Sequence, residues 1–333
     1  MSSLKRVGLL TSGGDAPGMN AAIRAITLKC INAGWDVIGI EAGYNGIFSL
    51  SSRTLTSLDV DNIIQRGGTI LKTARCQALR ETGGPELAAQ QLEKLAIDAL
   101  IVIGGDGSFR GATHINKFWP KPIIGIPGTI DNDINGTDQT IGFWTAIETA
   151  LSCIDKIRDT ADAFERIFVV EVMGRDCGFI AMESGIASGA EQIICKEIID
   201  DEADFLSELY SSIEHAVTWQ QTQSYVIVIA ENALSISAQT LAQNIQSKTG
   251  VDTKSAILGY VQRGGAPVAM DRVLATQLGI AAVDALKVGK SGMMIGTLNN
   301  ALVEIPLEET GLKNTTNQAL IKRLKQFNFD LTD

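Results

Sequence analysis

Short apolar runs alternate with amphipathic stretches along most of the chain. VGLL (7–10), WDVIGI (35–40), DALIVIG (98–104) and KPIIGI (121–126) are too short for helices and are bounded by turn residues, so they predict buried strands. Between them, MNAAIRAITLKCINA (19–33), the segment 86–96 and SFRGATHINKF (108–118) place apolar residues at helical spacing. A long helical pattern follows over 137–161, with Thr137 or Asp138 as its expected N-cap. The second half repeats the theme. RIFVVEVMG (166–174), QIIC (192–195), SYVIVIAE (224–231) and SAILGYV (255–261) predict strands, and 202–219, 236–247, 271–287 and 316–327 predict helices. Continuous apolar strands separated by helices imply an α/β fold with parallel sheets covered on both faces. The segment 139–155 is expected to carry the chain from one α/β domain to another.

Composition narrows the function classes. The chain has 333 residues, enough for about two domains. Its net charge of −10 argues against nucleic acid or an anionic membrane as the main partner. No apolar stretch approaches a membrane span, and MSSLKRVGLL enters an apolar run too short for a signal peptide. Five cysteines without a C-x-x-C pair suit a reducing cytoplasm better than a disulfide or zinc framework. With only His114 and His215 available, acid–base chemistry falls to carboxylates.

Three glycine-bearing turns follow predicted strands: Gly13-Gly14, Gly104-Gly105-Asp106-Gly107, and the turn at Gly128. In parallel α/β sheets ligands bind outside the carboxyl ends of strands, and a glycine turn before a helix exposes N–H groups to phosphate. Tight chain reversal is the competing reading, and no standard nucleotide fingerprint is present. PGTIDNDINGTD (127–138) places Asp131 and Asp133 two apart, on one side if the segment is extended. One of them suits a general base and the other a support or a metal contact, whereas from this loop alone turn capping is the favoured reading. Asp106 suits Mg²⁺. Arg75, Arg166, Arg175, Lys254 and Arg263 are the candidate cations for an anionic substrate, and Glu231 suits a sugar hydroxyl.

Taken together, LTSGGDAPGMNAAIR, IGGDGS, PGTIDND, VEVMGR and QRGG resemble the ATP-dependent 6-phosphofructokinases of bacterial type, in the family's order and over about residues 5–310. The resemblance implies two similar three-layer αβα Rossmann-like domains with mostly parallel sheets and an active site in the cleft between them. Residues 1–140 plus about 262–308 form the expected ATP-binding domain, and about 141–261 plus 309–333 the sugar-phosphate domain. The implied reaction moves the γ-phosphoryl group of MgATP to the 1-hydroxyl of fructose 6-phosphate.

By motif match Asp131 is the base, with Thr129, Ile130 and Asp133 beside it and Arg75 and Arg175 assisting. Gly14, Arg75, Cys76, Gly105, Asp106, Gly107, Ser108 and Gly111 match ATP contacts, Asp106 also facing Mg²⁺. Met173, Gly174, Arg175 and Glu231 match sugar contacts. Arg166, Lys254, Tyr260, Val261, Gln262 and Arg263 match the 6-phosphate pocket, with Arg166 and Lys254 supplied by a neighbouring subunit of a homotetramer. Pyrophosphate-using relatives typically carry Asp and Lys at 107 and 128, so glycine at both implies ATP as donor.

Two departures stand out. The family usually has His at 260 and Arg at 254, which implies weaker affinity for fructose 6-phosphate or a different acceptor, such as tagatose 6-phosphate or sedoheptulose 7-phosphate. Arg24, Arg53 and Arg158 match an effector site for ADP or phosphoenolpyruvate. Leu28 and WQQTQS (219–224) lack its other cations, so little effector response is expected. A kinase acting on NAD or lipids fits the Gly-Gly-Asp-Gly turn but not PGTIDND with QRGG. A non-catalytic regulatory subunit does not need Asp131, Asp106 and Arg75.

Overall fold

The computed structural model describes residues 4–218 and 224–312. The chain divides into two compact units. The first takes in 4–145 and 263–312, the second 146–262. Residues 309–312, which the sequence reading grouped with the second domain, belong with the first: Asn135 Nδ2 donates to Glu309 O at 3.0 Å and Asn135 N to Thr310 O at 3.1 Å. The predicted helix over 316–327 lies outside the described residues, as does most of WQQTQS.

The first unit is built on a seven-stranded sheet. Its strands are β1 (Arg6–Ser12), β2 (Asp36–Ile40), β3 (Ser52–Leu55), β4 (Ala99–Gly104), β5 (Ile123–Pro127), and two late strands. The central strands β5, β4, β1 and β2 run parallel. All six residues of β4 are buried, as a parallel strand covered on both faces requires. The antiparallel edges come from β3 and from a hairpin that the sequence reading did not foresee. One apolar layer packs Tyr44 and Ile47 of a short helix α2 (Tyr44–Ser49), Ala88 and Leu92 of α3 (Gly84–Lys94), and Phe109, Ala112 and Ile115 of α4 (Asp106–Asn116) against Leu10, Leu100 and Val102. Elsewhere α1 (Met19–Asn32) meets a helix from the far end of the chain, described below, where a Cβ added at Gly279 would press on Ala25 Cβ and Ala22 O at 3.0 and 3.1 Å.

The long helix α5 (Phe143–Phe164) starts later than the sequence pattern suggested, and the boundary between the units falls within its first turn. Thr137 does not cap it. Thr137 Oγ1 donates instead to Gln139 O at 2.9 Å. The cap comes from Asp271, far along the chain, which accepts from Gly142 N and Thr145 N.

The second unit holds a four-stranded parallel sheet in the order β7–β8–β6–β9, made of β6 (Ile167–Val172), β7 (Gln192–Ile194), β8 (Tyr225–Ala230) and β9 (Thr253–Ile257). Its helices are α6 (Phe179–Ser188), α7 (Glu202–Thr218) and α8 (Ala238–Thr249). The predicted strand SAILGYV is in fact two elements: β9 ends at Ile257, and Gly259–Arg263 winds into a 3₁₀ turn. The chain then returns to the first unit through α9 (Ala269–Lys287), the partner of α1, and closes its sheet with β10 (Met293–Leu298) and β11 (Ala301–Pro306).

Candidate active site

The register of the first sheet lines up the three turns. Ser12 pairs with Gly104, and Gly104 with Pro127, so β1, β4 and β5 end side by side. Strands lie about 4.8 Å apart, so the turns beginning at Gly13, Gly105 and Gly128 span roughly 10 Å along one edge. That is the carboxyl edge, where α/β sheets receive ligands. The Asp106 turn also opens α4, whose first N–H groups lack helical partners and favour an anion.

A fourth segment is tied to the same edge. Asn20, buried, donates to Arg66 O and Gly67 O and accepts from Ile70 N at 2.8 Å. Thr11 Oγ1 donates to Lys72 O at 2.8 Å, and Thr73 Oγ1 to Gly13 O at 2.8 Å. These bonds bring exposed Arg75 beside the Gly13 turn. Cys76 next to it is buried, and that burial pushes its thiol above the ordinary range, so it offers backbone and bulk rather than a thiolate. Arg263 arrives from the return segment: a Cβ at Gly14 would collide with its guanidinium, so glycine there gives the arginine its place against the turn.

The glycines divide by what surrounds them. Gly107 faces open space within 4 Å, so no protein atom forbids a side chain. Gly128 is different: a Cβ would stand 2.9 Å from Ile103 Cγ2 and 3.1 Å from Met19 Cε, which makes packing sufficient reason for glycine. Gly111 likewise clears room for Leu79 and Tyr44, and Tyr44 Oη donates to Ser108 O at 2.6 Å.

Asp131 is only 8% exposed. Its N–H donates to Thr129 Oγ1 at 3.2 Å, and Thr140 Oγ1 donates to Thr129 O at 2.6 Å, which pins the loop after β5. Ile130 is buried beneath it and Asp133 is partly exposed. The loop is not extended. Asn132 adopts φ +52°, with Nδ2 donating to Asp138 O at 3.0 Å, so alternation does not place Asp131 and Asp133 on one side. Asp106 Oδ2 pairs with Arg110 at 2.7 Å, while Oδ1 is buried with no hydrogen-bond partner among the described residues. An orphaned carboxylate oxygen at a phosphate-type turn fits a hard divalent cation. No cluster of three or more His, Cys, Asp or Glu that would hold a metal occurs among the described residues, so most ligands of such an ion must come from substrate phosphates and water.

In the second unit a different turn stands at the carboxyl end of β6. Glu231 Oε1 accepts from Gly174 N at 3.1 Å and Arg175 N at 2.7 Å, and Gln262 Oε1 accepts from Met173 N at 2.8 Å. These bonds hold Arg175 at φ +59° with its side chain mostly exposed. Gln262 is fully buried, while Tyr260 and Val261 project outward, 80% and 57% exposed.

Arg166 and Lys254 are elsewhere. They lie at the amino ends of β6 and β9, whereas Met173, Arg175 and Glu231 follow the carboxyl ends of β6 and β8. Six residues of β6 separate the two groups, about 20 Å at 3.3 Å per residue. One copy of the chain therefore does not gather the expected substrate residues into a single pocket. Strand order alone contained that signal, since a residue before a parallel strand lies at the opposite end from one after it.

A doubly wound sheet whose adjacent glycine turns present N–H groups, arginine and carboxylates has the equipment of a phosphoryl-transfer protein. Residues 6–286 match the family model described as phosphofructokinase, and the chain belongs to that family. It is 46% identical to ATP-dependent 6-phosphofructokinase 2 of Bacteroides thetaiotaomicron, covering 94% of this chain and 95% of that protein. It is also 46% identical to ATP-dependent 6-phosphofructokinase 1 of Thermus thermophilus, covering 96% and 98%. Among solved structures, phosphofructokinase from Saccharomyces cerevisiae superposes with a TM-score of 0.88 at 35% identity over 99% of this chain. The chain spans about half of that yeast polypeptide, 48%.

Proposed function

We propose that the chain is an ATP-dependent 6-phosphofructokinase of glycolysis, converting fructose 6-phosphate and ATP to fructose 1,6-bisphosphate and ADP. The observation that carries the reading is the alignment of the Gly13, Gly105 and Gly128 turns on one sheet edge with Asp131 anchored after β5. In this reading Asp131 takes the proton of the sugar 1-hydroxyl as that oxygen bonds to the γ-phosphorus and the bond to the β-phosphate oxygen breaks. Thr129 and Asp133 support it. The N–H groups of Gly14, Gly105 and Gly107 donate to phosphate oxygens, Ser108 stands beside them with its own N–H spent on Gly105 O at 2.9 Å, and Arg75 offsets charge on the transferring group. Asp106 would hold Mg²⁺, which would supply positive charge against the polyphosphate. Met173, Gly174, Arg175 and Glu231 hold the sugar, with Glu231 Oε1 already committed to the turn and Oε2 left to accept a hydroxyl.

The family resemblance implies that Arg166 and Lys254 serve the phosphate site of another copy in a homotetramer, and their distance of about a strand's length from Met173 and Glu231 supports that reading. The five free thiols suit the cytoplasm. Among the described residues no helix is long and apolar enough to cross a membrane. A second reading, that the acceptor is another sugar phosphate, rests on Tyr260, which carries no charge near neutral pH, and Lys254, which lacks a guanidinium fork.

The test is a turnover assay with MgATP and each of fructose 6-phosphate, tagatose 6-phosphate and sedoheptulose 7-phosphate, and with pyrophosphate as rival donor. Fructose 6-phosphate with ATP should give the highest kcat/KM. Asp131→Asn should lower kcat by about a hundred-fold to ten-thousand-fold and leave ATP binding intact. Preference for another acceptor overturns the substrate assignment, and unchanged turnover in the variant removes Asp131 from the chemistry.

A further inference from the structure

At the amino end of the second sheet, one carboxylate holds two cations. Arg166 Nε lies 2.6 Å from Asp252 Oδ2, and Lys254 Nζ lies 2.6 Å from Asp252 Oδ1. The backbone fixes this arrangement. Ile167 N donates to Asp252 O at 3.1 Å, and the parallel register pairs Ile167 with Thr253 and Phe168 with Lys254. Arg166 is further confined by Phe164, whose ring lies 4.2 Å beneath the guanidinium carbon. The hydrogen bond from Lys254, followed by the charges of Lys254 and Arg166, holds the Asp252 carboxyl below its usual range.

This cluster does little for the fold. The three side chains are 29% (Arg166), 49% (Lys254) and 40% (Asp252) exposed, and ion pairs at such exposure contribute little to stability. Its effect is geometric. Arg166 spends one of its five N–H donors on Asp252, and Lys254 one of its three. Without the carboxylate, two like charges on adjacent strands would swing apart into solvent. With it, both cations stay beside one carboxylate, the cluster carries one net positive charge, and donors on each remain unspent on Asp252.

We propose that Asp252 is the positioning residue of the sugar-phosphate site: by gripping Arg166 and Lys254 at once, it presents their unused N–H donors to a single phosphate group. The proposal rests on the kinase reading above for the identity of the sugar and not for the geometry. It also gives a physical account of the lysine at 254. An ammonium brings no planar fork of its own, so its placement depends more on a neighbouring acceptor than an arginine's does.

The experiment compares the wild-type chain with Asp252→Asn and Asp252→Glu in steady-state kinetics and by titration calorimetry with fructose 6-phosphate, inorganic phosphate and fructose. Asp252→Asn should raise KM for fructose 6-phosphate about ten-fold, with kcat within about two-fold, KM for ATP unchanged and the melting midpoint unchanged. Asp252→Glu, which keeps the charge, should recover part of the loss. Binding of inorganic phosphate should weaken with that of the sugar phosphate, and fructose should not discriminate between the proteins. An unchanged KM in Asp252→Asn overturns the proposal. A lowered KM does so as well, because it means the carboxylate only repels the substrate. If the wild type turns over no fructose 6-phosphate yet Asp252→Asn still loses phosphate binding, the kinase reading fails and the positioning role stands.

Discussion

Asp271 Oδ2 accepts two hydrogen bonds from Thr145, one from its N–H at 2.7 Å and one from its hydroxyl at 2.5 Å. Oδ1 accepts from Gly142 N at 2.9 Å, and Thr145 Oγ1 in turn accepts from Val268 N at 3.1 Å. A fully buried carboxylate on α9 thus caps α5, complementing Thr140 O, which accepts from Phe143 N at 3.3 Å.

Removing that cap leaves three buried donors unsatisfied, so Asp271→Ala should cost about 3 kcal/mol or more of unfolding free energy. The pH dependence is a finer check. Burial pushes the Asp271 carboxyl above its ordinary range despite the donors from Thr145 and Gly142. A carboxyl raised in the fold stabilises most when protonated. Its contribution is complete below the unfolded value of about 4 and is lost as pH rises through the folded value. Wild type should therefore lose stability relative to Asp271→Asn as pH climbs from about 4, with a flat difference once the folded group has ionised. Urea unfolding of both proteins across that window measures it. A difference running the other way means that the donors outweigh burial.

The same residue pair shows what the sequence did and did not disclose. Buried parallel strands such as β4 and β8 were legible because every position is apolar, and the glycine turns after β1 and β4 followed from them. The start of α5 was not legible, because its cap lies 126 residues away and a local search stops at Thr137. The β10–β11 hairpin did have a local signal: Asn299 and Asn300 both take positive φ, 51° and 62°, the two-residue turn that asparagine tolerates. The apolar, unpatterned α6 carried no helical periodicity to read. At the site, motif order singled out Asp131 and Asp106 as candidates. The left-handed Asn132 and the separation of Arg166 from Arg175 depended on three-dimensional placement.

Gly107 and Gly128 separate donor choice from packing. Gly107→Asp places a carboxylate in open space in the first turn of α4, where the helix dipole favours it, so the fold should be unharmed. The same charge faces the phosphates of a bound nucleotide, and KM for ATP should rise about ten-fold or more. Gly128→Lys pushes into Ile103 and Met19 and should cost about 1–3 kcal/mol of stability whatever it does to the donor. Melting curves and ATP saturation of the two variants test the distinction. An unchanged KM for ATP in Gly107→Asp would show that this position does not face the nucleotide.

Two of the three arginines matching an effector site, Arg53 and Arg158, are already engaged. Arg158 Nη1 donates to Glu191 Oε1 at 2.9 Å, and Nη2 donates to Gly189 O at 3.0 Å and to Glu191 Oε2 at 3.3 Å. Glu191 is itself anchored, since Oε2 accepts from Val226 N at 2.7 Å. Arg53 pairs with Asp59 at 2.9 Å and with Glu41 at 3.5 Å, and the Thr56 hydroxyl and N–H hold the Asp59 carboxyl below its ordinary range. Arg24 is partly buried on α1. These carboxylates offset the guanidinium charges that an incoming anion would meet, and Leu28 supplies no further charge. Allosteric ligands typically shift affinity about 5-fold to 150-fold. For this chain, ADP or phosphoenolpyruvate should move half-saturation by fructose 6-phosphate less than about two-fold, well short of that range. Saturation curves with and without each compound decide the matter, and a sigmoidal curve turned hyperbolic by ADP would overturn the expectation.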